Sequence, residues 1–122
     1  MTNLNSNENK ENLVRIEFFF SPTCPYCKQV KSMLYDAKKI YREDIEIVFI
    51  DVSTEQGQIL AHIYRIEATP TLIINSHDVI EGLPEKNEII YEGIEKYLSQ
   101  NAIREADKRK MKMKKRIDMM YS

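Results

Sequence analysis

Two cysteines three residues apart constrain this chain more than any other feature of its sequence. Cys24 and Cys27 are the only cysteines among 122 residues, so a network of disulfides cannot staple the fold. The pair follows a run at 13–20 that is rich in the β-branched and aromatic side chains typical of a strand. Apolar residues at helical spacing come directly after it. Cysteines at such a strand-to-helix junction indicate redox or metal chemistry rather than packing.

Strand and helix patterns alternate along the rest of the chain. A second strand is predicted at 45–52, and its wholly apolar centre, 47–50, indicates coverage on both faces. Because a helix pattern separates the first two strands, we expect them to pair in parallel. The later patterns predict a helix at 55–64, strands at 71–74 and 79–81 joined by a hairpin turn, and a helix ending near 98. The order βαβαββα predicts one α/β domain over residues 13–98.

Both ends of the chain differ from this domain. Residues 1–12 hold one apolar residue beyond the initiator, which predicts a disordered segment. Residues 99–122 carry a net charge of +5, whereas residues 1–98 carry −6. The favoured interpretation of 99–122 is a solvated, partly frayed basic tail. The alternative is an amphipathic helix that docks on the acidic domain, pairs with another subunit, or contacts nucleic acid or an anionic surface.

The start of the helix after the first strand gives Cys24 a chemical role. Both cysteines and Pro25 are predicted in the first helical turn, where unpaired backbone N–H groups and the helix dipole stabilise a thiolate. Cys24 is therefore the expected nucleophile, and Lys28 adds positive charge nearby. Cys27 is close enough to attack a mixed disulfide at Cys24, which makes it the expected resolving thiol.

Two segments resemble the signatures of the thioredoxin superfamily. The residues from Phe18 to Lys28 are similar to its active-site segment, and Cys-Pro-Tyr-Cys is the form typical of glutaredoxins. Ala68-Thr69-Pro70-Thr71-Leu72 resembles its second signature, a loop whose proline is cis and packs beside the disulfide. The resemblance implies the thioredoxin fold, a mixed four-stranded sheet with flanking helices, here with a basic C-terminal helical extension. It also implies that substrate contacts Pro25, Tyr26, Thr69 and Pro70.

Several positions depart from these family patterns. Phe18 stands where thioredoxins carry a buried acid, and the neighbouring Glu17 should face the other side of the strand. Ser21 replaces the lysine of glutathione-using glutaredoxins, and Leu83 replaces the second glycine of their Gly-Gly pair. We therefore expect a glutaredoxin-like or thioredoxin-like protein for which glutathione is not a required cofactor.

These observations predict a thiol-disulfide oxidoreductase that reduces a disulfide in a protein or a low-molecular-weight partner, and is then reduced by a donor reductase or thiol. We expect a cytoplasmic monomer without metal, organic cofactor, membrane association or nucleic-acid partner. No apolar run approaches the ~20 residues of a bilayer span, and His62 and His77 do not form a compact zinc pattern with the cysteines. Two alternatives remain: an iron-sulfur or metal carrier that uses the same cysteines, and a binding module that acts through its basic tail.

Overall fold

The computed structural model describes residues 13–121. Residues 1–12, predicted to be disordered, lie outside the described residues. The elements in chain order are β1 (Val14–Phe20), α1 (Cys27–Tyr41), a short 3-10 helix (Arg42–Asp44), β2 (Ile45–Asp51), α2 (Glu55–Ile63), β3 (Thr71–Ile74), β4 (Asp78–Glu81), α3 (Asn87–Glu95) and α4 (Gln100–Tyr121). The predicted βαβαββα order and the C-terminal helical extension are confirmed.

The four strands form one mixed sheet in the order β2-β1-β3-β4. β1 and β2 pair in parallel, as the helix between them predicts, while β3 runs antiparallel to both β1 and β4. The predicted hairpin joins β3 to β4 through residues 75–77, of which Asn75 and Ser76 have left-handed φ angles of 51° and 56°, and the His77 N–H donates to the carbonyl oxygen of Ile74 at 3.1 Å. Two successive left-handed residues match the twist of the flanking strands, so this tight turn is a favoured connection.

The two-residue repeat of β1 assigns its side chains to two apolar clusters. Ile16 and Phe18 belong to the larger one, which lies under α1 and α3 and also contains Cys27. Phe19 points to the other face, where it packs with Ile50 and Ile73. Cys27 therefore packs in this larger cluster, which is the main core of the domain.

Strand β2 is less covered than its sequence predicts. The prediction that the run 47–50 is covered on both faces was wrong, because Phe49 is 43% exposed and Ile47 and Val48 are only half-buried. Within residues 13–121, β2 is an edge strand paired with β1 alone. A strand at the edge lacks one lateral neighbour, so apolar side chains there reach solvent.

The basic segment forms one continuous helix, α4, whose first half packs on the domain. Ala106 is fully buried in the main core, and Arg109 Nη1 donates a 2.9 Å hydrogen bond to the carbonyl oxygen of Ile40 near the end of α1. The interpretation as a solvated, frayed tail was therefore wrong for this half, since the apolar stripe of the helix finds a core to pack on. Farther along, Ile117 and Met120 are 52% and 79% exposed. Among residues 13–121, no helix combines the length and apolar content that a membrane span requires.

Candidate functional site

Cys24 and Cys27 form a disulfide with a Cα–Cα distance of 5.5 Å. The prediction that the first helical turn contains Cys27 is confirmed, but it was wrong for Cys24 and Pro25, because α1 begins only at Cys27, with Tyr26 as its N-cap. The backbone N–H of Cys24 instead donates to the carbonyl of Ser21 at 3.2 Å. This bond places Cys24 in the turn that precedes the helix, two residues before the N-cap Tyr26.

The two sulfur-bearing residues differ in their access to solvent. Cys27 is 6% exposed and packs in the main core, whereas Cys24 is only partly buried against that core. The first turn of α1 contains no acidic residue, so no carboxylate there offsets the positive end of the helix dipole. Lys28, next to Cys27, adds a cation in this turn. The first turn of α1 therefore presents positive charge and no negative charge at the end of the helix that Cys24 precedes.

An open cavity of about 480 Å³ borders the disulfide. Both cysteines and Pro25 line it, but Tyr26, which is 54% exposed, does not. Its remaining lining residues come from the end of β1, the turn after it, the first turns of α1, and β2: Phe18, Phe20, Ser21, Pro22, Thr23, Lys28, Lys31 and Phe49. Of the predicted contact residues, the structure thus brings only Pro25 into this cavity.

The second signature lies at the same end of the sheet as the disulfide. The peptide bond between Thr69 and Pro70 is cis, as the family resemblance predicts. Thr71, the first residue of β3, pairs with Phe19 near the end of β1, and Cys24 follows that strand by four residues. Pro70 is buried, while Thr69 is half-buried. The fold thus brings the two signatures to one end of the sheet, although they are separated by more than forty residues in the chain.

The departure at position 18 has a clear structural form. Phe18 is 1% exposed and lies in the cluster that contains Cys27, so an apolar ring fills the place of the family's buried acid. Glu17 faces the other side of β1, as the strand alternation predicts, but it is also buried, at 3% exposure. Its Oε1 has no hydrogen-bond partner among the described residues. The sequence did not indicate this burial. Alternation along a strand assigns a side chain to one face of the sheet, but it does not show whether other elements pack on that face.

The two histidines lie apart from the disulfide. His77 follows the β3–β4 turn, at the opposite end of the sheet, where its Nδ1 lies 3.0 Å from Oδ1 of Asp78. His62 is exposed on α2. Within residues 13–121, no group of three or more His, Cys, Asp or Glu side chains is arranged to hold a metal ion.

Two residues of the cavity, Lys31 and Phe49, lie outside the segment from Phe18 to Lys28 and were not identified as site residues from the sequence. Phe49 belongs to the run 47–50 that was expected to be covered on both faces. The pairing of Phe18 with Phe49 in the β1–β2 register places Phe49 on the same side of the sheet as Phe18 and Phe20. Only the strand order, which no local pattern encodes, puts Phe49 on an edge beside the disulfide.

Comparison with known proteins places these features in a family. The family model for thioredoxin matches residues 2–98. A thioredoxin from Methanocaldococcus jannaschii is 33% identical over 85 residues, which cover 70% of this chain and 96% of the relative. A probable thioredoxin from Methanothermobacter thermautotrophicus is 32% identical over 77 residues, covering 63% of this chain and 88% of the relative.

Solved structures give the same result at the level of the fold. A thioredoxin-like protein from Clostridium perfringens superposes with a TM-score of 0.64 at 25% identity, over 75% of this chain and 76% of that one. A variant thioredoxin from Halobacterium salinarum gives a TM-score of 0.62 at 21% identity, over 81% of this chain and 86% of that one.

Proposed function

This chain belongs to the thioredoxin family and is a thiol-disulfide oxidoreductase; from that premise, we propose that it acts as a reductase of disulfides. In this proposal, Cys24 is the nucleophile and Cys27 the resolving thiol. The observation that carries the assignment is the difference in solvent access between them, since Cys24 is only partly buried whereas Cys27 is 6% exposed and packs in the main core. A bulky disulfide reaches the outer sulfur first.

The reaction transfers two electrons and two protons to the substrate. The Cys24 thiolate attacks one sulfur of the substrate disulfide, whose S–S bond breaks and whose other sulfur leaves as a thiolate that takes up a proton. Cys27 then loses its proton and attacks the Cys24 sulfur, so that the second substrate thiol is released and the Cys24–Cys27 disulfide forms. An external dithiol reductase or thiol returns the pair to the reduced state.

The proton of Cys27 needs a destination during the second step. Because Phe18 occupies the place of the family's buried acid and lies with Cys27 in the main core, no carboxylate from that position serves as a base. We assign the proton to the departing substrate thiolate or to water. The resolving step should therefore follow the titration of the thiols themselves, without a further inflection from a buried carboxyl.

The loop before β3 completes the proposed substrate surface. Pro70 carries no N–H and is buried against the fold, and its carbonyl oxygen is engaged by the Gly82 N–H at 2.8 Å. Thr69 is half-buried, so its backbone groups are the ones available to pair with an extended substrate segment. Pro25 and Tyr26 supply the opposing apolar contacts.

The proposal requires no metal and no bound organic cofactor, because the Cys24–Cys27 pair itself stores the two electrons. A cytoplasmic monomer is part of the proposal, since a reductase depends on a compartment that keeps its thiols reduced. An iron-sulfur or metal carrier would instead show visible absorbance or stoichiometric iron or zinc in freshly purified protein.

Trapping of the mixed disulfide tests the assignment of the two thiols. Cys27→Ser protein, reduced and mixed with a disulfide-bonded protein substrate, should accumulate a covalent complex through Cys24, because the resolving thiol is missing. The matched variant Cys24→Ser should form far less of it under the same conditions. Mass spectrometry of the non-reduced complex identifies the joined cysteine. Equal trapping by both variants would contradict the proposed roles.

A further inference from the structure

The cavity beside the disulfide has an aromatic wall on the β2 side. The ring centroids of Phe18 and Phe49 lie 5.8 Å apart in an edge-on arrangement, and those of Phe20 and Phe49 lie 6.4 Å apart. Phe49 nevertheless remains 43% exposed. The cavity volume of about 480 Å³ falls within the range of roughly 300–1,000 Å³ found for ligand sites. This wall therefore has the size and apolar character of a binding surface.

Two lysines form the rim of the same cavity. Lys28 and Lys31 are one helical turn apart on α1 and both line it, while no acidic residue does. Lys31 Nζ lies 5.7 Å from the ring centroid of Phe49 and 5.9 Å from that of Tyr35, over the aromatic faces. Within residues 13–121, neither lysine forms an ion pair. The two lysines therefore place positive charge next to the aromatic wall.

We propose that this cavity selects polypeptide substrates in which a large apolar or aromatic side chain lies beside the reacting cysteine in sequence, with a carboxylate next to it. The inference rests on the proposed reductase function and names its substrate class. Two observations favour this occupant: the cavity is continuous with the disulfide, since Cys24 lines it, and its positive rim complements a carboxylate. An aromatic side chain would bury the exposed face of Phe49 and be positioned by ring-to-ring contact.

Two peptides distinguish selection by the cavity from disulfide reduction in general. Each carries a single cysteine in a mixed disulfide with 2-mercaptoethanol, followed by Phe-Glu in one peptide and by Ala-Lys in the other. Reduced wild-type protein should convert the Phe-Glu peptide to its free thiol roughly ten times faster, as measured by chromatography of acid-quenched samples, because burial of a phenyl group and pairing of its neighbouring carboxylate both favour it. Hydroxyethyl disulfide, which has neither group, serves as the neutral reference substrate.

Variants of the cavity should remove this preference without removing the reaction. Phe49→Ala should lower the rate for the Phe-Glu peptide roughly fivefold or more, and Lys31→Glu should do the same at low salt but less at high salt. The rate of each variant with a peptide is divided by its own rate with hydroxyethyl disulfide, so that a change in the reactivity of the thiols cancels and the ratio reports the cavity. Ile63→Ala, at a 64% exposed apolar position on α2, and Lys112→Glu, on α4, are the matched controls and should leave all three rates unchanged.

The outcomes separate the two levels of the proposal. Wild-type protein that reduces hydroxyethyl disulfide but does not discriminate between the peptides would overturn the substrate class and leave the reductase function standing. Protein that reduces none of the three substrates would overturn the reductase function itself. Because Lys31 is an exposed residue on the surface of α1, Lys31→Glu tests the proposal even if Phe49→Ala unfolds.

Discussion

Substitution of Lys110 tests how α4 is held to the domain. Its Nζ donates to Oε2 of Glu95 at 2.6 Å and lies 5.7 Å and 5.1 Å from the ring centroids of Tyr41 and Tyr91. The Tyr41 hydroxyl donates to the same carboxylate at 2.5 Å. Burial and this hydrogen bond hold the pKa of Tyr41 well above its usual value, so the hydroxyl stays protonated. One lysine thus joins α1, α3 and α4.

The contacts of this lysine set the expected loss in the free energy of unfolding. The side chains of Lys110 and Glu95 are 29% and 22% exposed, so a hydrogen bond between their charged groups is worth about 1.5–3 kcal/mol. The two cation–π contacts add about 0.5–1 kcal/mol each. Lys110→Met keeps an apolar side chain of similar length, whose packing offsets part of the lost free energy of unfolding. We expect a net loss of about 2 kcal/mol.

Urea unfolding of the oxidised protein, followed by far-ultraviolet circular dichroism, measures this loss. Lys114→Met is the matched control, because Lys114 lies one turn farther along α4 and is exposed. Amide hydrogen exchange in α4 should also accelerate in the Lys110 variant and not in the control. If the two variants unfold within about 0.5 kcal/mol of each other, a difference typical of surface substitutions, α4 is not held by this lysine.

Three further predictions concern single residues. Replacing Glu17 by Val should raise the free energy of unfolding by about 1–2 kcal/mol in thermal unfolding, because the buried Oε1 of Glu17 loses its hydration on folding and gains no hydrogen bond among the described residues. A less stable variant would refute this. The pKa of Asp78 is lowered from 3.8 to about 2, chiefly by the hydrogen bond from Lys96. Its carboxylate therefore stabilises the fold above pH 3.8 and loses this effect as the pH falls to about 2, so Asp78→Asn should flatten the urea midpoint across that window, and an unchanged slope would contradict it. Gly57→Ala should destabilise the protein by about 2 kcal/mol or more in urea, because the added Cβ would lie 1.8 Å from the Asp51 carbonyl oxygen. This clash outweighs the better helix propensity of Ala. A variant as stable as the wild type would contradict the prediction.

The local patterns of the chain predicted its elements and the faces of its first strand. The spacing of apolar residues indicated β1 and α1, and the alternation along β1 placed Phe18 and Glu17 on opposite faces. Hydrogen bonding around the motif was less predictable. Pro25 is compatible with the first turn of a helix, but it is equally compatible with the turn that the Cys24 N–H closes onto Ser21. Sequence preference alone does not choose between these two conformations.

Features that depend on distant partners could not be read from the chain. The exposure of Phe49 follows from the strand order, and the burial of Glu17 follows from the elements that cover the second face of the sheet. The docking of α4 depends on a core position for Ala106 and on the carboxylate of Glu95. A charged segment with a weak apolar stripe has the same sequence pattern whether or not such a site exists. Tertiary contacts decide these points, and local propensity does not.

The equilibrium reduction potential of the Cys24–Cys27 couple tests the central claim most directly. The protein is equilibrated in thiol buffers of defined composition, its free thiols are trapped, and Cys27→Ser serves as the control without an intramolecular disulfide. We expect a reversible two-electron transition between about −270 mV, the value of thioredoxin, and about −200 mV, near that of glutaredoxins, in the less reducing half of this interval. A protein whose cysteines show no reversible transition, or exchange only one electron, would contradict a dithiol-disulfide reductase.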